Sequence, residues 1–112
     1  MISKTTMIKI RNTSSALLAA LLFTLGSSAA VYAADISKGA NIYATHCTAC
    51  HGASGVSVMP GTPSFAQNGG LLKPDMTLLA TIKSGKNVMP SFQGVLSDRD
   101  ILDVIAYLRT FN

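Results

Sequence analysis

The chain has 112 residues, 48% of them hydrophobic, with nine Lys or Arg against five Asp or Glu and only two cysteines. That length allows one domain at most, and a core built from it alone is modest. The formal charge of +4 does not argue for nucleic-acid binding, because no basic stripe with interleaved aromatics runs through the chain.

The first segment is a leader. Lys4, Lys9 and Arg11 form a basic head with no acid among them, and Ala16 to Leu25 is apolar apart from Thr24. Small residues then lead to Val31-Tyr32-Ala33-Ala34. This order predicts a secretory signal peptide over residues 1–33, cut after Ala33. Cutting one residue later would place bulky Tyr32 in a small pocket and ranks second. The alternative is an uncleaved anchor, but the apolar block spans roughly 10 residues where a membrane span needs about 20. Export puts residues 34–112 in the periplasm. Three of the nine cations leave with the leader, so the remaining segment carries a charge of about +1.

Residues 34–112 read as three helices and a long loop. Asp35 is placed to cap the first helix, with Ile36, Ala40, Tyr43 and Cys47 along one face. Gly39 sits inside that helix, which implies a packing reason such as the close approach of another helix. From about Gly52 to Lys73 the chain is rich in Gly and Pro and lacks periodicity. A loop of that length in a compact domain makes sense if it wraps a ligand. Pro74 opens a second helix through Leu78, Leu79 and Ile82, which Gly85 ends. Met76 lies in this helix and is expected to fill the core. An irregular segment, Lys86 to Phe92, follows. The last helix starts at a Ser97/Asp100 capping box and has Ile101, Val104, Ile105, Leu108 and Phe111 on its apolar face. No run alternates well enough to be a strand, so the class is all-α.

The chemistry lies at His46-Cys47-Thr48-Ala49-Cys50-His51. Two cysteines three apart with histidine next to the second form the C-x-x-C-H haem attachment signature. Each sulfur joins one vinyl group as a thioether, and His51 supplies the first axial nitrogen. A thioredoxin-like pair would need a βαβ context. Structural zinc would need a second ligand cluster. A disulfide is the ordinary fate of cysteines in an oxidising compartment, yet this one would close a tiny loop.

These features resemble the class I monohaem cytochromes c of the short bacterial kind. The resemblance covers residues 35–112 and implies three to four helices wrapped around one covalent haem. It makes Gly39 and Tyr43 the first-helix residues that pack against Val104 and Tyr107 of the last helix. The second axial ligand comes from Met59 or Met89, each followed by a proline that biases it away from helix. Reach favours Met89, because Met59 lies too close to His51 to arrive at the far face without a taut path. The same argument leaves His46 facing solvent. By resemblance, Pro63 supplies the carbonyl that holds the His51 ring, with Pro60 as runner-up, and Phe65 covers the haem. The metal ligands are thus His51 and Met89.

Six-coordination by His51 and Met89 leaves no open position, which points to an electron carrier and not an enzyme. A haem enzyme or gas sensor with an open sixth position is the rival reading, and a haem-handling protein is another. The expected partners are larger redox proteins as donor and acceptor. No nucleic acid is expected, a membrane only if the leader is kept, and the chain is expected to be a monomer. Lys83 and Lys86, just before the ligand loop, are candidates to steer an acidic partner, although an ordinary solvated face is the preferred reading.

Overall fold

The structure, a computed structural model, describes residues 32–112. The leader predicted for residues 1–33 therefore lies outside the described residues, apart from its last two. Residues 33–112 form one compact unit.

Four α-helices make up that unit: α1 (Ile36–His46), α2 (Thr48–His51), α3 (Asp75–Ser84) and α4 (Asp98–Leu108). Short 3₁₀ turns follow at Phe65–Gln67 and Arg109–Phe111. No strand occurs among the described residues; a single isolated bridge pairs Lys86 with Met89. The all-α class holds.

Local chemistry accounts for each helix boundary. The Asp35 carboxylate accepts from the Lys38 N–H at 2.9 Å and starts α1. Ser97 and Asp100 form the reciprocal capping box at the start of α4. Pro74 stands just outside α3 as its N-cap, with φ −57° and ψ 148°, and its carbonyl accepts from Thr77 and Leu78. Gly85, at φ +76°, ends α3.

The apolar faces pack as two adjoining clusters. Tyr43, Phe65, Leu71, Val104 and Leu108 form one, while Leu79, Ile101 and Ile105 form the other. Two residues depart from the expected pattern. Met76, in the first turn of α3, is 67% exposed and fills no core; Leu79 is the residue that α3 buries. Ile36 is also exposed, so the buried stripe of α1 runs through Gly39 and Tyr43.

Helix α1 packs closely on α4. A Cβ on Gly39 would lie 2.1 Å from the Asp103 carbonyl oxygen and 3.0 Å from the Val104 nitrogen. The helix that approaches Gly39 is therefore α4, and it presents backbone. Beside this crossing Tyr43 and Tyr107 place their ring centres 5.4 Å apart.

An acid absent from the expected site residues locks the same junction. Asp103 is completely buried, and its Oδ1 accepts from the Asp35 N–H at 2.8 Å. Lys38 spans the rim, 2.6 Å from Asp100 Oδ1 and 3.8 Å from Asp103 Oδ2. At the other end of α4, Arg109 donates to the Leu71 carbonyl at 2.7 Å, to the Lys73 carbonyl and to the Asp75 carboxylate. That fork closes the long loop onto the last helix. Among the described residues no buried side-chain nitrogen or oxygen lacks a partner.

Two outcomes follow for stability. Gly39→Ala forces a Cβ against the Asp103 backbone and should cost about 2–3 kcal/mol in denaturant unfolding. Hydrogen bonds from Lys38 and then Ser97 hold the Asp100 carboxyl far below its ordinary value of 3.8. A depressed acid stabilises the fold fully above that ordinary value and loses its contribution as pH falls from there towards the depressed one. The unfolding midpoint of the parent should therefore fall more steeply than that of Asp100→Asn between about pH 4 and pH 2. Parallel slopes would contradict this account.

Candidate functional site

The break between α1 and α2 sets the site. Cys47 ends α1, its N–H donating to the Tyr43 carbonyl at 2.9 Å, and it also stands as N-cap of α2. Its own carbonyl accepts from Cys50 at 3.3 Å and from His51 at 2.9 Å. One tight turn therefore carries Cys47, Cys50 and His51. Both cysteines are half-buried and are not joined to each other. Burial, and then the neighbouring Cys50, push the Cys47 thiol up to about 11.

Gly52 releases the chain from α2 at φ +76°, where a Cβ would meet the Val56 carbonyl oxygen at 1.9 Å. Its carbonyl accepts from the buried Tyr43 hydroxyl at 2.6 Å. Burial is the main reason that hydroxyl is pushed up to about 12, with Cys47 and Tyr107 adding to it. The loop then folds back on the turn. Val58 N–H donates to the Cys50 carbonyl at 3.1 Å, and Ala66 N–H to the Gly55 carbonyl at 3.1 Å.

This return places two residues against His51. Its Nδ1 lies 3.1 Å from the Pro63 carbonyl oxygen. A carbonyl only accepts, so the proton of the neutral ring sits on Nδ1 and Nε2 keeps its lone pair. The Phe65 ring stacks on the imidazole with centres 4.4 Å apart and planes 19° apart. Burial lowers the His51 pKa, against an opposing upward effect of the Pro63 bond, and so favours the neutral ring. Phe65 thus backs the imidazole, a contact that sequence spacing does not reveal.

Beside this turn lies an apolar cleft of about 340 Å³, within the usual range for small-molecule and cofactor sites. Cys47, Cys50, His51, Pro63, Phe65 and Met89 all line it. So do Met59 and His46, and each is exposed. His46 also sets its ring edge-on to Phe92 at 6.0 Å. Pro60 is not among the lining residues. Ile82, Leu96, Val104 and Leu108 complete the walls. In the sequence, Ile82, Val104 and Leu108 look like ordinary core, because a cleft wall and a core share one periodicity. Lys73, Lys86, Asn87 and Val88 stand at the cleft as well. Lys83 does not; it pairs with Asp98 at 2.6 Å.

The donor set fits a haem. An apolar slot borders two neighbouring thiols and an imidazole whose Nε2 is kept basic, with a thioether supplied from a separate segment. Among the described residues no three His, Cys, Asp or Glu side chains gather as a metal-ion cluster. None of the described helices is long and apolar enough to cross a membrane.

The chain is similar to known proteins in sequence and fold. Residues 34–108 match the family described as cytochrome c oxidase, cbb3-type, subunit III. The chain is 36% identical to cytochrome c6 of Thermosynechococcus vestitus over 92 residues, 80% of each chain. It is 35% identical to cytochrome c6 of a Nostoc species over 96 residues, 82% of this chain and 85% of that one. The structure of cytochrome c6 from the diatom Phaeodactylum tricornutum superposes with a TM-score of 0.51 at 31% identity. That match covers 68% of this chain and 92% of the diatom protein.

Phe65→Ala removes the ring behind His51 and should destabilise the haem-loaded protein by about 3 kcal/mol, read as a lower denaturant midpoint.

Proposed function

From the premise that this chain belongs to the class I monohaem cytochromes c, we propose that His51 and Met89 are the two axial ligands of its iron. The protein is an electron carrier with one covalent haem c, joined through Cys47 and Cys50. When bound, that haem supplies a one-electron ferric/ferrous couple.

The chain's own residues shape this chemistry. The hydrogen bond that Nδ1–H donates to the Pro63 carbonyl fixes the His51 tautomer and orients the ring. Phe65 packs the ring so that it cannot rotate freely. Met89 offers a neutral thioether, which raises the potential relative to a second nitrogen. With both axial positions taken by side chains, no place is left for substrate, and the reading is of a carrier without catalysis. The observation that carries it is the single cleft shared by His51 and Met89.

Met59 lines the same cleft, but it belongs to the loop that returns onto the attachment turn. Met89 belongs to the separate segment after α3 and is the better ligand on that ground. The protein passes electrons between redox partners. We infer that those partners are larger proteins reached at the cleft mouth, and that the protein works as a monomer in the periplasm. The basic, apolar and small-residue order of residues 1–33 supports that location. Of the two lysines considered for steering, Lys86 at the cleft suits the role better than Lys83, which is held by Asp98.

Met89→Ala should open the iron to carbon monoxide in the ferrous state. It should also lower the midpoint potential by on the order of 0.1 V, a fraction of the roughly 0.8 V that axial ligands command. Met59→Ala should do neither. Spectroscopy under carbon monoxide and a potentiometric titration check both, and the reverse pattern would overturn the assignment.

A further inference from the structure

The segment that carries Met89 is tied to the end of α3 in an unusual way. Lys86 and Met89 exchange two backbone hydrogen bonds, 3.1 and 2.9 Å, which close a four-residue hairpin. Asn87 turns it in the left-handed region at φ +54°. The hairpin sits directly on Gly85. A Cβ there would come within 2.7 Å of the Met89 carbonyl oxygen and 2.8 Å of the Ser91 nitrogen.

Beyond the hairpin a second tie is made by a side chain. The Lys83 carbonyl, in the last turn of α3, accepts from the Ser91 hydroxyl at 2.8 Å and from the Gln93 N–H at 3.0 Å. Ser91 Oγ in turn accepts from the same Gln93 N–H at 3.2 Å. Helix-end carbonyls have no partner inside the helix, so this one is satisfied only by the segment that follows Met89. Phe92, between the two donors, is buried.

We propose that Ser91 is a positioning residue: its hydroxyl staples the Met89 segment to the last turn of α3 and so holds the thioether on the iron. This inference rests on Met89 being the ligand. An incoming ligand binds only after Met89 has left, so its apparent affinity scales with the fraction of molecules in which the segment has opened. Losing the Ser91 staple favours opening without altering either axial group. The segment is exposed at Ser91, and Gln93 still reaches the Lys83 carbonyl, so the fold survives Ser91→Ala.

The test is titration of the ferric haem-loaded protein with imidazole, followed by absorbance. Ser91→Ala should bind imidazole roughly five-fold more tightly than the parent, the size expected from one hydrogen bond. Ser91→Thr keeps the hydroxyl and should restore the parent value. Thr45→Ala removes a similar exposed bond, 2.9 Å to the Asn41 carbonyl in α1, and should leave imidazole affinity unchanged. Equal affinities for Ser91→Ala and the parent would overturn the proposal, as would an equal rise in Thr45→Ala. Met89→Ala separates the two levels of inference. If it binds imidazole far more tightly than the parent while Ser91→Ala does not change, only the staple falls. If Met89→Ala matches the parent, the ligand assignment falls and the staple with it.

Discussion

The crossing of α1 and α4 at Gly39 is the constraint on which the site depends. Only a residue without a Cβ lets the Asp103 backbone come so close. The contact fixes where α1 lies and therefore where its last residues deliver Cys47. Two further ties keep the helices from sliding. Asp103 takes the Asp35 N–H within the junction, and Tyr43 bridges from the helix to the Gly52 carbonyl just past α2. The attachment turn is thus anchored at both of its ends to a pair of helices that cannot easily shift.

A core divided in this way is small for a stable domain. Its two apolar clusters meet through Leu78, which packs against both, and the cleft opens between the walls that they share. Short domains commonly need a cofactor to complete their burial. The walls built by Ile82, Leu96, Val104 and Leu108 face a volume that a flat apolar group would fill. The same group then serves as core and as redox centre, which explains why a chain with so few aromatics and no useful disulfide still forms a packed unit.

How much of this was legible in the sequence depended on distance along the chain. The helix caps at Asp35 and Ser97, the stop at Gly85 and the C-x-x-C-H turn are local, and each is written in neighbouring residues. The closeness of α4 at Gly39 needed the family resemblance, because a glycine inside a helix says only that something approaches. Asp103 and Arg109 were not legible as structural residues. Their partners lie 68 and 38 positions away, and an acid or an arginine on a helix reads as a solvated charge. Met76 failed for the opposite reason. The weak amphipathic pattern of α3 leaves more than one face available, and only tertiary packing decides that Leu79 is buried while Met76 stays exposed. The contact between Phe65 and His51 is set by the returning loop, whose path Gly and Pro permit but do not specify.

The proposed ligands are held by mechanically separate parts. His51 is held through the loop, by the Pro63 carbonyl and the Phe65 ring, and that loop is closed onto α4 by Arg109. Met89 is held through α3, by the packing of its hairpin on Gly85 and by the bonds that Lys83 accepts. The two supports differ in kind. The His51 side is buried and stacked, so releasing it would disrupt a core cluster. The Met89 side is tied by exposed hydrogen bonds, and such segments open at lower free energy than the core. If the site ever yields, it yields at methionine, with the covalent attachment and the histidine still in place. That asymmetry suits a carrier, since the thioether that sets the potential can be adjusted by small changes near Ser91 without touching the crossing on which the fold depends.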